Sequence, residues 1–365
     1  MSTAVGQLAV VLGRIDLVRA LGRAGISSVV VGDSGDPIRY SRLVTDVIDE
    51  AALWESGREG LPLFYDSDRA LQFVSRNRDR LAQSYRFVIP GAALVDELLD
   101  KRRFQALGER LDLPVPRSRA VGGSAGDGGP DLRFPVVIKA SPYRDGRWEA
   151  AGLSSKVLRV DDADALPEAL ARLEATGLEL IAQELIPGRE DRVESYHVYV
   201  DEGGEVAAEF TGRKIRTAPR EFGMSTSLVT TDAPDVAALG REVVDRLGFR
   251  GVAKLDFKRG PDERLNLLEV NPRFTLWTHV GAVAGVNLPA IVHADLTGRP
   301  RPPTRRARPG VRWIWPRADL AAARADGISV PAWLAWALRV ETNPAFALSD
   351  PAPYLVRRLR RVLGR

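Results

Sequence analysis

The chain contains 365 residues, of which 45% are hydrophobic and 27% are charged. This balance is typical of a folded globular protein, and the length suits about two or three domains rather than one core. The absence of cysteine excludes a disulfide scaffold, a thiolate zinc site and a cysteine nucleophile. The net charge of +4 comes largely from arginines in residues 299–308 and 357–365. Because aromatic residues are not interleaved with these arginines, we predict no nucleic-acid partner.

The two ends of the sequence bear on localisation. Residues 1–18 have no basic segment ahead of their short apolar run, and no apolar stretch approaches the roughly 18 residues of a membrane span. We therefore expect a cytoplasmic protein. Near the other end, residues 353–365 place leucine and valine at helical spacing beside arginines. This helix either lies on a membrane surface or is packed or solvated; we favour the second interpretation and expect no membrane contact.

The first hundred residues alternate predicted strands and helices. Residues 8–12, 15–24 and 26–31 have the patterns of a strand, a helix and a parallel strand. Helical patterns at 66–81 and 93–107 flank a short strand at residues 87–89. The glycines lack the GxGxxG spacing of a dinucleotide site. We therefore predict an N-terminal α/β domain, residues 1–98, that binds no dinucleotide.

The middle of the chain changes from mixed to β-rich. A helix over residues 100–111 precedes a buried strand, FPVVIKAS, and residues 178–298 hold at least five predicted strands interrupted by a helix at 234–247. After Gly298 the sequence is rich in arginine and proline, and then in tryptophan. We predict two lobes, residues 99–180 and 181–299, and a C-terminal extension, residues 300–365, whose tryptophans are core anchors.

Three side chains that carry oxygen ligands lie on two neighbouring predicted strands. Asp256 lies in VAKLDFKRG, Glu269 and Asn271 lie in LNLLEVNPRF, and the GPDER segment between them predicts a hairpin turn. Glu269 and Asn271 are two residues apart and therefore share a face. Carboxylate and amide oxygens suit Mg²⁺, which completes its shell with water and phosphate oxygens. The pattern predicts a magnesium site for a nucleotide; the alternative is a half-exposed hairpin with polar positions.

Lysine is rare in this chain. It provides six of the 52 basic residues, at positions 101, 139, 156, 214, 254 and 258. Because surface charge is carried by arginine, each lysine suggests a need for a compact ammonium group. Lys139, which leaves a buried strand, suits the fixed cation that a triphosphate requires. The alternative for such a lysine is a solvated charge at a strand end.

With these residues in view, the chain resembles the ATP-grasp superfamily, in which two α+β lobes clamp ATP and magnesium. The resemblance covers residues 87–298, and the segments DKRRF, GRKIRTAPREFG and LLEVNPRF are similar to those of D-aspartate-ligase-like carboxylate–amine ligases. It implies an α/β and α+β architecture: an ATP-grasp fold between a Rossmann-like N-terminal domain and a C-terminal extension. It also implies ATP and Mg²⁺ as cofactors, with Mn²⁺ as an alternative ion.

The resemblance also assigns roles to individual residues. Residues 183–186 are expected to line the adenine and Glu190 to hold the ribose, although glutamine stands at 183 where the family often has glutamate. The residues assigned to ATP are Lys101, Lys139, Lys156, Gln183, Glu184, Leu185, Ile186 and Glu190. The metal ligands are Asp256, Glu269 and Asn271.

Three cations are assigned to catalysis. Lys214 and Arg216, two apart on a strand, are expected to share a face and contact the β- and γ-phosphates. Arg273 is expected to stabilise charge that develops during the reaction. The alternatives are a surface charge for Lys156 and a salt bridge at a strand end for Arg273.

The activity that the resemblance implies is ATP-dependent C–N bond formation. A small-molecule carboxylate, such as an amino acid or a small peptide, is activated as an acyl phosphate and joined to an amine. A kinase-like phosphotransferase and a non-catalytic nucleotide-binding regulator are the alternatives. The sequence leaves a homodimer open.

Overall fold

The computed structural model describes residues 7–55, 57–121, 132–141, 147–150, 153, 157–174 and 176–363. Its strands form three sheets of five, four and six strands, which together give the mixed α/β and α+β architecture that the sequence predicts. Lys156 lies outside the described residues, so its role near the phosphates stays a prediction.

The N-terminal part is a parallel sheet with flanking helices. Its elements are β1 (Leu8–Leu12), α1 (Ile15–Gly22), β2 (Ser27–Val31), β3 (Val44–Ile48), β4 (Leu61–Tyr65), α2 (Asp68–Arg76), α3 (Arg78–Leu81), β5 (Tyr85–Arg86) and α4 (Ala92–Leu99). The strand order is β3-β2-β1-β4-β5, and all pairs are parallel. The direction of winding reverses between β1 and β4, so the loops that follow these two strands meet at one edge.

Three local predictions for this region are wrong in detail. The helix expected at 93–107 is broken at Asp100, whose side chain accepts hydrogen bonds from the Arg102 and Arg103 amides, both at 2.9 Å, and so begins a new helix. The strand expected at 87–89 lies two residues earlier, at Tyr85–Arg86. The helix expected at 66–81 begins only after Ser67, which caps α2, and is divided at Asn77.

The first lobe is an antiparallel sheet of four strands in the order β6-β9-β7-β8. Its elements are α5 (Lys101–Arg110), β6 (Ser118–Val121), β7 (Val136–Ser141), α6 (Arg147–Ala150), β8 (Leu158–Val160), α7 (Leu166–Glu174) and β9 (Glu179–Glu184). Ile138, Leu180 and Leu173 belong to one buried core between the sheet and its helices. Lys139 follows Ile138 and therefore points away from that core.

The second lobe is a larger antiparallel sheet with helices on both faces. Its elements before residue 300 are β10 (Val193–Val200), β11 (Val206–Ala218), β12 (Met224–Thr231), α8 (Pro234–Arg246), β13 (Gly251–Arg259), β14 (Leu265–Asn271), α9 (Thr278–Ala284) and α10 (Leu288–Leu296). One face packs Val198 and Leu255 against Val243 of α8. The other packs close to Trp277, which leaves no space for a side chain at Gly212: a Cβ there would lie 2.3 Å from the indole ring.

The C-terminal segment contributes a strand to this second sheet. Its elements are β15 (Arg312–Ile314), α11 (Pro316–Ala325), α12 (Val330–Ala337) and α13 (Ala352–Val362). β15 pairs antiparallel with β12, so the full order is β14-β13-β10-β11-β12-β15. Trp313 and Trp333 are buried as predicted, whereas Trp315 is exposed. In the described part of the chain, no helix combines the length and apolar character needed to cross a membrane. The boundaries of the four domains remain predictions.

Candidate nucleotide and metal site

The β13–β14 hairpin brings the three proposed metal ligands together. Asp256 lies directly opposite Glu269, and Asn271 lies opposite Lys254. The Asn271 amide nitrogen donates a hydrogen bond to the Glu269 carboxylate at 3.0 Å. The pairing pattern therefore places two carboxylates and one amide at neighbouring positions of one hairpin.

The donor set of the hairpin fits a hard divalent ion. Asp256 is 3% exposed, and its two carboxylate oxygens accept hydrogen bonds from the Ser195 hydroxyl and the Lys254 ammonium. Each oxygen has a second lone pair that remains suited to a cation. Within the described ranges, no group of three or more His, Cys, Asp or Glu residues is arranged to hold a metal. Two carboxylates and one amide instead suit Mg²⁺, which takes its remaining ligands from water and phosphate oxygens.

Two lysines of the first lobe approach the same place. The Lys101 ammonium, at the start of α5, lies 3.6 Å from a Glu269 carboxylate oxygen. Lys139 on β7 donates a hydrogen bond to the Gln183 side-chain oxygen at 2.6 Å. Burial and the charge of Lys101 lower the pKa of Lys139 to about 8, while the Glu269 carboxylate opposes the shift. Two ammonium groups and the candidate metal ligands thus interact between the lobes.

A cavity of about 580 Å³ lies between the first and second lobes. Its lining includes Pro135 of the first lobe, Lys258 of the second, and the connecting residues Leu185, Ile186 and Glu190. A volume of this size is typical of a small-molecule or nucleotide site, for which about 300–1,000 Å³ is common. The structure therefore places two of the four residues expected around the base at a cavity between the lobes.

The other two residues of that group make contacts within the first lobe. Gln183 is buried and accepts the hydrogen bond from Lys139, so it positions a lysine. The buried Glu184 carboxylate accepts a hydrogen bond from the Arg133 amide at 3.0 Å and two from its guanidinium, at 3.2 and 3.0 Å. The Leu185 amide donates to the Pro135 carbonyl at 3.0 Å. These contacts order the connection between the lobes.

Glu190, which lines the cavity with Lys258, connects two lysines. One carboxylate oxygen lies 3.8 Å from the Lys214 ammonium and the other 3.8 Å from the Lys258 ammonium. Burial lowers the pKa of Lys258, and the Glu190 carboxylate partly offsets this effect. The predicted ribose ligand is therefore part of a charged wall, and its contact with a ribose stays a prediction.

Arg216 has a different environment from Lys214. A β-bulge places Lys214 opposite Leu228 and Arg216 opposite Ser227. A second register shift follows at once, between Arg216 and Thr217, and Arg216 lines the same cavity as Glu190, the partner of Lys214, so the shared face stays a prediction. The Arg216 guanidinium donates two hydrogen bonds to Asp319 of α11, at 2.8 and 2.6 Å.

Asp319 makes this contact part of the C-terminal packing. Its carboxylate is fully buried and also accepts hydrogen bonds from the Thr226 hydroxyl at 2.9 Å and the Trp333 indole at 2.8 Å. The Arg216 guanidinium lies 4.4 Å from the ring centre of Trp336. These contacts attach α11 and α12 to the sheet; Arg216 also lines the cavity between the lobes, so its contact with a phosphate stays a prediction.

Arg273 joins the metal hairpin to the N-terminal sheet. Its guanidinium donates to the Asn271 side-chain oxygen at 3.2 Å and to the Asp68 carboxylate at 2.6 Å. The Asp66 carbonyl accepts hydrogen bonds from both Arg273, at 3.5 Å, and Arg14, at 3.3 Å. Because Arg14 follows β1 and Asp66 follows β4, this junction lies where the order of the parallel sheet reverses, a common place for ligand binding.

Sequence reasoning missed Arg14, Asp66 and Asp68. The available signal was the apolar run LPLFY at residues 61–65, which is followed by the capping pattern Asp66-Ser67-Asp68. Recognising that run as β4 would have placed the loop after it next to the loop after β1. The hydrogen bonds from Ser195 and Lys254 to Asp256 were also missed. They depend on which residues lie opposite one another across β10, β13 and β14, and the sequence alone does not fix that pairing.

Comparison with known proteins supports this architecture. Residues 200–316 match the family described as ATP-grasp in the biosynthetic pathway with Ter operon. A D-aspartate ligase of Enterococcus faecium (strain Aus0004) is 23% identical over 244 residues, which cover 62% of this chain and 56% of the relative. The chain thus spans little more than half of that enzyme's length.

Two solved structures show the same fold at low identity. Biotin carboxylase of Campylobacter jejuni, described as a complex with β-γ-ATP, superposes with a TM-score of 0.64 at 13% identity, covering 84% of this chain and 74% of that one. An L-amino acid ligase of Bacillus licheniformis superposes with a TM-score of 0.58 at 14% identity, covering 79% and 73%. From the sheet topology, the family match over residues 200–316 and these similarities, the chain has an ATP-grasp fold and resembles the D-aspartate-ligase-like carboxylate–amine ligases.

Proposed function

We propose that this protein is an ATP-dependent ligase that joins a small-molecule carboxylate to an amine through an acyl phosphate. One observation carries the proposal: Asp256, Glu269 and Asn271 meet Lys101 and Lys139 between the lobes. The similarity to D-aspartate ligase and to an L-amino acid ligase supports an amino acid or a small peptide as substrate.

The proposed reaction has two steps. A carboxylate oxygen of the substrate bonds to the γ-phosphorus of ATP while the bond to the β–γ bridging oxygen breaks, and ADP leaves. The amine nitrogen then attacks the acyl carbon, phosphate leaves, and the proton lost by the nitrogen passes to phosphate or water. The products are an amide, ADP and phosphate.

In this scheme the residues act mainly by charge and position. Lys101 and Lys139 hold the triphosphate, and Asp256, Glu269 and Asn271 would hold Mg²⁺, which neutralises charge on the phosphate oxygens when it is bound. Arg273 lies within hydrogen-bonding distance of Asn271 and so beside the transferred group. Holding the reactants in register typically contributes about 7–11 kcal/mol to the reduction of a barrier of this kind.

The direct test is Glu269→Gln, which keeps the size of the side chain and removes its charge. We expect ADP release to fall at least about a hundredfold, because the ion would lose a negatively charged ligand. Glu242→Gln is the matched control, since Glu242 is an exposed carboxylate on α8. Near-normal ADP release by a folded Glu269→Gln protein, checked by circular dichroism, would contradict the metal assignment.

Hydroxylamine tests the intermediate separately. It should capture the acyl phosphate as a hydroxamate, and a panel of carboxylic acids screened in this way would identify the first substrate. ADP release that needs a carboxylate but yields no hydroxamate, at any hydroxylamine concentration tested, would contradict the acyl phosphate.

A further inference from the structure

Exposed apolar side chains are concentrated in the C-terminal segment. Of the 12 large hydrophobic side chains that are exposed in the described part of the chain, 10 lie after residue 310. Scattered single residues of this kind are ordinary, but a concentration in one region marks a surface that contacts something else. α13 carries three of them, Leu355, Leu359 and Val362, and a fourth, Leu363, follows its last residue.

The apolar residues of α13 form a stripe on the side opposite its packing. The helix contacts the turn Pro37–Tyr40, and Pro353 is buried there. Leu355, Leu359 and Val362 are spaced by four and three residues, so they lie along one face, and they are 56%, 58% and 77% exposed. The sequence favoured a helix that is packed or solvated. In the structure one side of α13 packs on the protein, and the side that carries the three apolar residues is exposed.

The charge of α13 favours one kind of occupant. Residues 352–362 contain four arginines and no acidic residue. Arg357, Arg358 and Arg361 are exposed, whereas Arg360 is partly buried and bonds to the Gly35 carbonyl, which fixes the helix on the body of the protein. A helix with an apolar stripe and an arginine-rich polar face is suited to the boundary between lipid headgroups and acyl chains, where anionic lipids attract the arginines.

We infer that α13 docks the protein on an anionic membrane surface. Leu355, Leu359 and Val362 enter the acyl boundary, and Arg357, Arg358 and Arg361 contact anionic headgroups. The rest of the protein stays outside the bilayer. This surface is separate from the β13–β14 hairpin, and the inference does not depend on the proposed ligase activity.

Vesicle flotation of the full chain tests the inference. We expect the protein to float with vesicles of equimolar phosphatidylserine and phosphatidylcholine, to stay unbound with phosphatidylcholine alone, and to bind less at high salt because the headgroup attraction is screened. Failure to float with the anionic vesicles, or equal binding to both compositions, would overturn the inference.

Two pairs of variants locate the surface. Leu355→Asn with Leu359→Asn removes the stripe, and its control is Leu334→Asn with Leu338→Asn on α12, where the leucines are similarly exposed. Arg357→Gln, Arg358→Gln and Arg361→Gln remove charge, and their control is Arg69→Gln, Arg76→Gln and Arg264→Gln, three exposed arginines elsewhere. We expect at least about a tenfold loss of bound fraction for each α13 variant and little change for each control.

Self-association is the competing occupant, and sedimentation velocity distinguishes it. We expect the same species distribution for the unmodified protein and for the Leu355→Asn, Leu359→Asn variant. A dimer that dissociates in this variant, together with unchanged vesicle binding, would assign the stripe to a second copy of the chain and overturn the membrane proposal. Because the substituted side chains are exposed, folding should be unaffected; the thermal midpoint verifies this.

Discussion

The cleft between the lobes and the attachment of the C-terminal segment use charged residues in opposite ways. Three ion pairs in the cleft are long: Lys101 lies 3.6 Å from Glu269, and Lys214 and Lys258 each lie 3.8 Å from Glu190, whereas the Lys254–Asp256 pair is short. The three long distances exceed those of ordinary charge-assisted hydrogen bonds. A phosphate or a cation can therefore compete with these long contacts.

At the C-terminal attachment the contacts are short and buried. Arg216 and Asp319 form a two-point ion pair, and Trp333 donates to the same carboxylate. Elsewhere in this attachment the Trp313 indole donates to the buried Asp16 carboxylate at 3.2 Å. Every group here has its partner inside the protein, so the arrangement serves to hold elements in place.

The difference teaches how to separate binding cations from structural ones in this fold. A basic residue on a strand of the second sheet can hold a C-terminal helix, as Arg216 does through Asp319, while it also lines the cavity between the lobes. We propose that the length of the contact to its partner distinguishes the two classes. The predictions below test this distinction.

The largest stability effect is expected at the C-terminal attachment. Asp319→Ala should lower the free energy of unfolding by about 3–5 kcal/mol, because it leaves the Arg216 guanidinium buried without its counter-charge. Lys101→Ala, in the cleft, should cost about 1 kcal/mol or less, since that ion pair is long and partly exposed. Urea denaturation measures both. Similar losses for the two variants would show that the distances do not separate the two classes.

Asp16 should give the attachment a pH dependence of stability. Burial raises the pKa of Asp16 from 3.8 to about 6, against the lowering effect of the Trp313 hydrogen bond. Because the pKa is higher in the folded state, the neutral carboxyl stabilises the fold at low pH, and this contribution is lost as the pH rises through about 6. Asp16→Asn keeps an acceptor for Trp313 and should raise stability at neutral pH by up to about 3 kcal/mol.

The control for this prediction is an exposed carboxylate. Asp79→Asn on α3 replaces an exposed carboxylate and should change the stability much less than Asp16→Asn. The quantity to compare is each variant's free energy of unfolding relative to the unmodified protein, at pH values above about 6 and below 3.8, the raised and the ordinary pKa of Asp16. If Asp16→Asn changed the free energy of unfolding by the same amount at both pH values, the pKa of Asp16 would not be raised in the folded protein.

The sequence predicted the metal hairpin more fully than it predicted the neighbours of that hairpin. Asp256, Glu269 and Asn271 lie close in the chain, and strand alternation is enough to place the last two on one face. Lys101 and Lys139 were assigned to ATP from the resemblance and from the rarity of lysine in this chain. Their closeness to Glu269 depends on how the two lobes pack, which no local sequence pattern encodes. The contact of Arg216 with Asp319 was not predicted, because it depends on the packing of α11 against the sheet and on register shifts on both sides of Arg216.

The smallest expected effect is a pH dependence of nucleotide binding in the cleft. Lys139, whose pKa is lowered to about 8, should be cationic below that pH and increasingly neutral above it. The affinity for ADP, measured by calorimetry without divalent ions, should therefore fall by up to roughly tenfold per pH unit above that value, since only the ammonium attracts the phosphates. Lys139→Arg stays cationic over this range and should flatten the profile. An unchanged slope in Lys139→Arg would assign the titration to another group and remove the main physical reason for placing Lys139 at the phosphates.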